Sequence, residues 1–213
     1  MTTNNKYSRN QIDKLGNGLI YLIEKMGFLP KTSLLKLVYI LDEYSVKKRG
    51  FPMFNLQYEI WKYGPVCQDL YIEFNDGASL LKEYIKSEVV DNSTHISPVA
   101  DFNDDEFSDS DIAIFDEIAA KFSGKNTKYL VDFTHQTNSL WYTTAMKNGV
   151  LEALLNEEIN STDIKIDFAD LVSHDENKLA FYNDHLEFLN FTASLNQRWK
   201  MFEKGNLLYF KDY

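Results

Sequence analysis

Apolar residues recur at helical spacing through the first part of the chain and predict two consecutive helices. The first covers about residues 10–26, and Gly27 is placed to end it. Thr32 or Ser33 is placed to cap the second. This second helix has apolar residues on most of its sides, which is typical of a core helix. We therefore predict that residues 33–49 form the central buried helix of the fold.

The sharpest local signal is the turn at 63–66, which follows an aromatic-rich run over 56–63. Residues of that run alternate between two faces, as in a short strand. Gly64 takes a positive φ at little cost, and Pro65 suits the first position of a helix. We predict a strand that turns sharply into a helix over about 65–74. A phosphate-binding loop is disfavoured, because the turn lacks a second glycine and a Gly-Lys-Ser/Thr sequence.

The rest of the chain alternates between a β-hairpin and further helices. The hairpin is predicted over about 85–99, and we expect it to join the strand at 56–63 in a three-stranded sheet. Apolar spacing and capping residues predict helices over about 112–122, 127–134, 140–148, 162–172 and 175–202. Gly205 is expected to end the last helix, and 207–210 to form a short strand or a packed tail. The predicted fold is mainly α (α+β), a multi-helix bundle around a central buried helix with a small antiparallel β element.

The last predicted helix has two apolar stripes, which lie too far apart around the helix axis to form one buried face. The first stripe comprises Leu179, Tyr182, Leu186, Leu189 and Ala193. The second stripe comprises Phe181, Phe188, Phe191, Leu195, Trp199 and Phe202. Either the helix is sandwiched between two parts of the fold, which we favour, or one stripe binds a partner protein.

Charge and composition narrow the function classes. The formal net charge is −10, which argues against nucleic acid and anionic membrane surfaces as partners. Cys67 is the single cysteine, so an internal disulfide is excluded and a reducing compartment is favoured. The polar first residues do not resemble a signal peptide, and no apolar run approaches the ~20 residues of a membrane span. We expect a cytoplasmic protein.

No catalytic or metal-binding motif of known spacing occurs in the sequence, so we predict no cofactor, no metal site and no catalytic residue. The four histidines are scattered, without another His or Cys at metal-ligand spacing. His135 is the one candidate general base, with Asp132 or Asp42 as its carboxylate. The favoured alternative is structural: His135 donates to a nearby carbonyl beneath the indole of Trp141.

An ordered set of residues matches the pattern of a known family. Its first half is Lys36-Leu37-Val38-Tyr39, Asp42, Gly50, Pro52, Lys62-Tyr63-Gly64-Pro65-Val66 and Leu70-Tyr71. Its second half is Phe107-Ser108-Asp109, Thr134-His135 and Leu140-Trp141-Tyr142. Over about residues 10–150 the chain thus resembles the Panacea-domain family, which includes SocA-like antitoxins and phage-associated GepA-like proteins. Residues 151–213 are expected to be a C-terminal helical extension packed on the same domain.

The resemblance implies a mainly α domain without enzyme activity. It implies an antitoxin of a type II toxin–antitoxin system, which neutralises a cognate toxin by direct binding. A relative that acts as a proteolytic adaptor implies a AAA+ protease as a further partner. A phage-associated host-interaction protein, a hydrolase built on His135 and a homo-oligomer stay open as alternatives.

Two sets of residues are candidate sites, the first from the resemblance and the second from the apolar stripes of the last predicted helix. The family residues, which serve as scaffold or line a partner groove, are Lys36, Tyr39, Asp42, Trp61, Tyr63, Gly64, Pro65, His135 and Trp141. The C-terminal extension adds a candidate partner helix with Phe181, Phe188, Phe191, Leu195 and Trp199.

Overall fold

Helices form most of the fold and surround one central helix. The computed structural model describes residues 7–75, 77 and 79–209 of the 213-residue chain, without the side chains of 197 and 199–209. The helices are α1 (Arg9–Met26), α2 (Lys31–Arg49), α3 (Gln68–Asn75), α4 (Asp109–Phe122), α5 (Thr127–Thr134), α6 (Leu140–Lys147), α7 (Leu151–Leu155), α8 (Ala169–Val172) and α9 (Glu176–Tyr209). The strands are β1 (Leu29–Pro30), β2 (Glu59–Trp61), β3 (Gly64–Val66), β4 (Ile85–Val90), β5 (Ser93–Pro98) and β6 (Ser161–Lys165). The mainly α prediction with a small β component is confirmed.

Helix α2 is the central buried helix, as its apolar pattern predicts. It contacts α1, α4, α5, α8 and α9, and Leu34, Leu37 and Val38 are completely buried. Gly50 ends the helix with φ 92°, and its amide donates to the Val46 carbonyl. The left-handed glycine stop is therefore confirmed.

The predicted cap of α2 is wrong. Pro30 occupies the N-cap position, and no side chain there accepts a hydrogen bond from the helix. Pro30 also belongs to β1, so the chain passes directly from strand to helix. The Ser33 hydroxyl lies 2.7 Å from the Thr127 hydroxyl and links α2 to α5 instead.

The segment at 63–66 is a hairpin, so the predicted strand-to-helix corner is wrong. Strands β2 and β3 pair antiparallel, with Ile60 opposite Pro65 and Trp61 opposite Gly64. Proline is tolerated here because β3 lies at the edge of its sheet. The following helix, α3, begins only at Gln68.

The hairpin predicted over 85–99 is confirmed as β4 and β5, but its expected partner is wrong. Strand β1 pairs with β5, with Leu29 opposite Ile96. Strand β2 lies instead in a second sheet of order β3-β2-β6. Pairing partners are distant in sequence, so local periodicity cannot identify them.

Strand β6 replaces the first half of the helix predicted over 162–172. Its residues alternate between exposed and half-buried, which is strand periodicity. Ile164 and Ile166 lie two residues apart and fit that alternation. Of the predicted helix, only Ala169–Val172 is helical. Helix α7, just before β6, had no predicted counterpart.

Helix α9 continues past the predicted end at 202, so Gly205 does not end it. Residues 207–209 are helical rather than a strand or tail, and Phe210 lies outside the described residues. Tyr182 of the first stripe is buried, whereas the described side chains of the second stripe are exposed. The sandwich prediction is therefore wrong for these side chains. In the described part of the chain, no helix has the length and apolar character needed to cross a membrane.

Candidate functional site

Two fully buried side chains from different helices bind the backbone of the β2–β3 hairpin. The Trp141 indole of α6 donates to the Trp61 carbonyl at 2.8 Å. The Lys36 ammonium of α2 donates to the Pro65 carbonyl, also at 2.8 Å. Trp141 is 0% exposed and Lys36 is 1% exposed. Neither group is accessible, so both act on the hairpin from beneath.

His135, immediately after α5, makes the third contact with the hairpin. Its Nε2 lies 3.0 Å from the Lys62 carbonyl, and its Nδ1 lies 2.6 Å from the Val131 carbonyl. Its ring lies 4.0 Å from the Trp141 ring, centroid to centroid. Both ring nitrogens of His135 thus face backbone carbonyls beside the Trp141 indole, which is the placement that the structural interpretation expects. We call residues 61–65, held by these three side chains, the clamped hairpin.

Gly64 lies against α2 and the C-terminal end of α5. Its φ is 99°, which a side chain rarely permits. A Cβ here would lie 2.7 Å from Thr134 Oγ1, 3.0 Å from Lys36 Nζ and 3.3 Å from His135 Cε1. Backbone conformation and lack of space therefore both require glycine.

Burial shifts the protonation of two basic groups beside the hairpin. It lowers the pKa of the Lys36 ammonium to about 7, because the charged form loses its contact with water. Burial also lowers the pKa of His135, and the nearby Lys36 acts in the same direction. The carbonyls of Val131 and Lys62 oppose this shift. The two groups thus share a site that disfavours positive charge.

Asp42 and Tyr39 belong to a second buried cluster on α2, away from the hairpin backbone. The Asp42 carboxylate accepts from the Phe54 amide at 2.6 Å and from the Tyr58 hydroxyl at 2.7 Å. Burial raises the pKa of Asp42 to about 6, although these hydrogen bonds oppose the shift. Tyr39 packs edge-on against Tyr58, with ring centroids 5.1 Å apart. The cluster anchors the segment that leads into β2.

The outer side of the clamped hairpin is aromatic. Tyr63 at its tip is 60% exposed, and Lys62 Nζ lies 4.8 Å from its ring centroid. Trp61 packs edge-on against Tyr71 of α3 at 5.1 Å. Lys31 Nζ lies over the Tyr71 ring, 4.4 Å from its centroid. We call these five side chains the aromatic patch.

The geometry opposes the hydrolase built on His135. Both ring nitrogens of His135 face backbone carbonyls rather than a carboxylate. Asp42 is bound to Phe54 and Tyr58, and Asp132 pairs with Lys128 at 2.5 Å. Across the described residues, no three His, Cys, Asp or Glu side chains come close enough to hold a metal. The arrangement fixes the backbone of the clamped hairpin and exposes the ring of Tyr63 at its tip.

Sequence reasoning assigned no contact to two threonines beside the clamped hairpin, although Thr134 belongs to the family pattern. Thr162 of β6 donates to the Ile60 carbonyl at 2.8 Å. Thr134 is buried and lies against Gly64. The alternating pattern of β6 was the available signal for Thr162, whereas no local pattern marks the contact of Thr134. The candidate partner residues of α9 lie outside this site, and the side chain of Trp199 lies outside the described residues.

Comparison with known families agrees with this geometry. The model of the family described as "Antitoxin SocA-like, Panacea domain" matches residues 34–142. The match covers just over half of the chain, and it contains the clamped hairpin and its three clamping side chains. No curated protein and no solved structure matches the chain. The chain belongs to the SocA-like antitoxin family with a Panacea domain.

Proposed function

We propose that this protein is the antitoxin of a type II toxin–antitoxin system, and that it neutralises a cognate toxin by direct binding through the aromatic patch. Family membership supports an antitoxin role. The clamped hairpin is the observation on which this choice of binding surface rests. Three side chains from three parts of the α-helical body hold its carbonyls, while Tyr63 at its tip is 60% exposed.

A clamped, exposed aromatic surface suits tight protein binding for two reasons. Ordering a flexible loop on binding costs free energy, and a loop that is already ordered avoids most of that cost. Tyrosine and tryptophan are also enriched among the residues that contribute most to binding energy. Trp61 and Tyr63 supply two such rings on the clamped hairpin, and Tyr71 of α3 packs against Trp61.

The negative charge of the chain supports a positively charged toxin as its partner. A net charge of −10 accelerates the approach of a positively charged protein, and salt weakens this steering. We place the encounter in the cytoplasm, where the single buried Cys67 stays reduced. Delivery of the bound toxin to a AAA+ protease extends the same proposal, since an adaptor must hold its cargo by a stable surface.

Co-expression with the product of the adjacent reading frame tests the proposal. We expect the two proteins to copurify and the antitoxin to restore growth that the neighbouring product arrests. Tyr63→Ala should lose both effects, because it removes the most exposed ring of the patch. Val89→Ala is the matched control, since Val89 is 76% exposed on β4, in the other sheet. Failure of the wild-type pair to copurify and to restore growth contradicts the proposal.

Cells with and without a AAA+ protease distinguish steric neutralisation of the toxin from its degradation. An adaptor restores growth only in cells that contain the protease, and the toxin level falls when the antitoxin is induced. A steric antitoxin restores growth in both strains at a constant toxin level. Binding through the aromatic patch is required in either case, so Tyr63→Ala fails in both.

A further inference from the structure

Helix α9 leaves one apolar face uncovered. Phe181, Phe188, Phe191 and Leu195 are 58%, 64%, 61% and 45% exposed. An exposed row of large apolar side chains on one helix face is a common mark of an interaction site. The question is which partner fits this face.

The spacing along this face is that of a coiled-coil seam. Steps of three and four residues alternate through Phe181, Asp184, Phe188, Phe191, Leu195 and Arg198, which we call the α9 seam. Both polar members are exposed, and neither forms an ion pair with a described side chain. The seam therefore carries two charges of opposite sign without a partner among the described side chains.

The two charges lie symmetrically in the seam. Asp184 precedes Phe191 by seven residues, and Arg198 follows it by seven. A contact between two identical copies related by a two-fold axis pairs each residue with one equidistant from the midpoint. When two copies of the seam run antiparallel about Phe191, Asp184 of each therefore lies beside Arg198 of the other.

We infer that the α9 seam binds the α9 seam of a second copy of this chain in an antiparallel pair. A parallel pair would place Asp184 against Asp184 and Arg198 against Arg198, with like charges in contact. A foreign protein would impose no symmetry about Phe191. The apolar face and the placement of its two charges together favour a second copy.

The start of α9 is anchored so that the seam points away from the body of the molecule. Lys178 Nζ donates to the Lys47 carbonyl at 2.8 Å, and His185 Nε2 lies 2.6 Å from Asn55 Oδ1. Tyr182, on the opposite face from the seam, is buried. These contacts fix the rotation of the first turns of the helix, where Phe181 lies beside Gly50 of the body.

The mass of the full-length chain in solution tests the inference. By light scattering or sedimentation we expect a dimer that dissociates on dilution. Phe188→Glu should give a monomer, because it puts a charge at an apolar position of the seam. Val89→Glu, at a valine of β4 that is 76% exposed, should leave the dimer unchanged. A wild-type chain that is monomeric at about 100 µM, a weak affinity for a specific pair, overturns the inference.

Charge reversal tests the antiparallel orientation. Asp184→Arg alone and Arg198→Asp alone should each weaken the dimer about tenfold, because each replaces attraction with repulsion. An equal mixture of these two variants should form a mixed dimer, and a chain with both changes should recover wild-type affinity. In a parallel pair, Asp184→Arg exchanges one like-charge contact for another and has no effect. That result, or no recovery in the doubly changed chain, overturns the antiparallel pair.

These experiments are independent of toxin neutralisation. If a toxin rather than a second copy covers the seam, the isolated chain is monomeric and Phe188→Glu abolishes copurification with the neighbouring product. That outcome overturns the inference and leaves the proposed antitoxin role standing. A dimer that requires the seam supports the inference even when the neighbouring product does not bind.

Discussion

The clamped hairpin and the α9 seam expose aromatic residues for opposite physical reasons. At the hairpin, the buried side chains of Lys36 and Trp141 bind the backbone from the body of the molecule. Tyr63 therefore lies on a rigid support. In the seam, the polar contacts of Lys178 and His185 with the body anchor the start of the helix, and the helix itself carries the exposed rings. Damage to the hairpin should therefore reduce folding stability, whereas damage to the seam should change association alone.

The largest expected effect follows from Gly64. Gly64→Ala combines a positive φ with clashes against Thr134 and Lys36, and we expect it to lower the free energy of unfolding by about 4 kcal/mol. Gly149→Ala is the control, since its φ is 69° and nothing lies within 4 Å of the added Cβ. It should cost only about 1 kcal/mol of backbone strain. Equal costs in urea denaturation would show that α2 and the end of α5 do not press on Gly64.

The next effect is a pH dependence that Lys36 creates. Its pKa is about 7 in the fold and about 10.4 in an unfolded chain. As the pH falls through this window, the unfolded chain binds a proton that the folded chain rejects, so stability falls; below about 7 the cost is constant. Lys36→Met removes this dependence.

Urea denaturation of wild type and Lys36→Met at two pH values measures the effect. The difference in unfolding free energy between the two proteins should shift by about 3 kcal/mol between pH 9.5 and pH 7, in favour of the variant at pH 7. Lys62→Met is the control. Lys62 pairs with the exposed Glu157 at 2.9 Å, and this hydrogen bond, rather than burial, is the main cause of the shift, which raises its pKa. A pH-independent difference for Lys36→Met would mean that the ammonium is solvated.

Trp141→Phe should have a somewhat smaller effect. It keeps an aromatic ring but removes the hydrogen bond to the Trp61 carbonyl and leaves a cavity, at a cost of about 2 kcal/mol. Thermal unfolding by circular dichroism measures the loss. Trp61→Phe removes the hydrogen bond from a half-buried indole to Glu59, and it should cost less than half as much. A larger loss for Trp61→Phe would reverse the assigned roles of the two indoles.

The smallest effect on stability is expected in the seam. Phe188→Ser should change the unfolding free energy by no more than about 0.5 kcal/mol when measured below the dimer dissociation constant, because Phe188 is 64% exposed. The same substitution should abolish the dimer. A loss of stability as large as that of Trp141→Phe would mean that the second stripe packs against the body, and the contrast between the two regions would disappear.

The sequence was sufficient for features that depend on local periodicity. The buried α2, its stop at Gly50 and the β4–β5 hairpin all follow from apolar spacing and turn residues. The prediction of a helix start at Gly64 and Pro65 is wrong, because a glycine-proline pair fits the start of a helix and an edge strand equally well. Only the pairing of β2 with β3 and β6, set by distant residues, decides between them.

The chemistry of the site was less accessible to sequence reasoning. Local pattern marks Lys36 as a polar interruption of a core helix, and nothing in its neighbourhood indicates a contact with Pro65, 29 residues away. His135 and Trp141 were placed together because they flank one short turn, and their rings do pack. Contacts within a turn can be predicted from spacing, whereas clamps between distant elements require the fold.

The affinity of the neighbouring gene product for wild type and Tyr63→Ala tests most directly whether the clamped hairpin presents the binding surface. Titration calorimetry should show at least about a tenfold loss of affinity for Tyr63→Ala, with an unchanged unfolding free energy because Tyr63 is 60% exposed. Val89→Ala should bind as wild type does. Equal affinities of wild type and Tyr63→Ala would contradict the account and place the toxin on another surface.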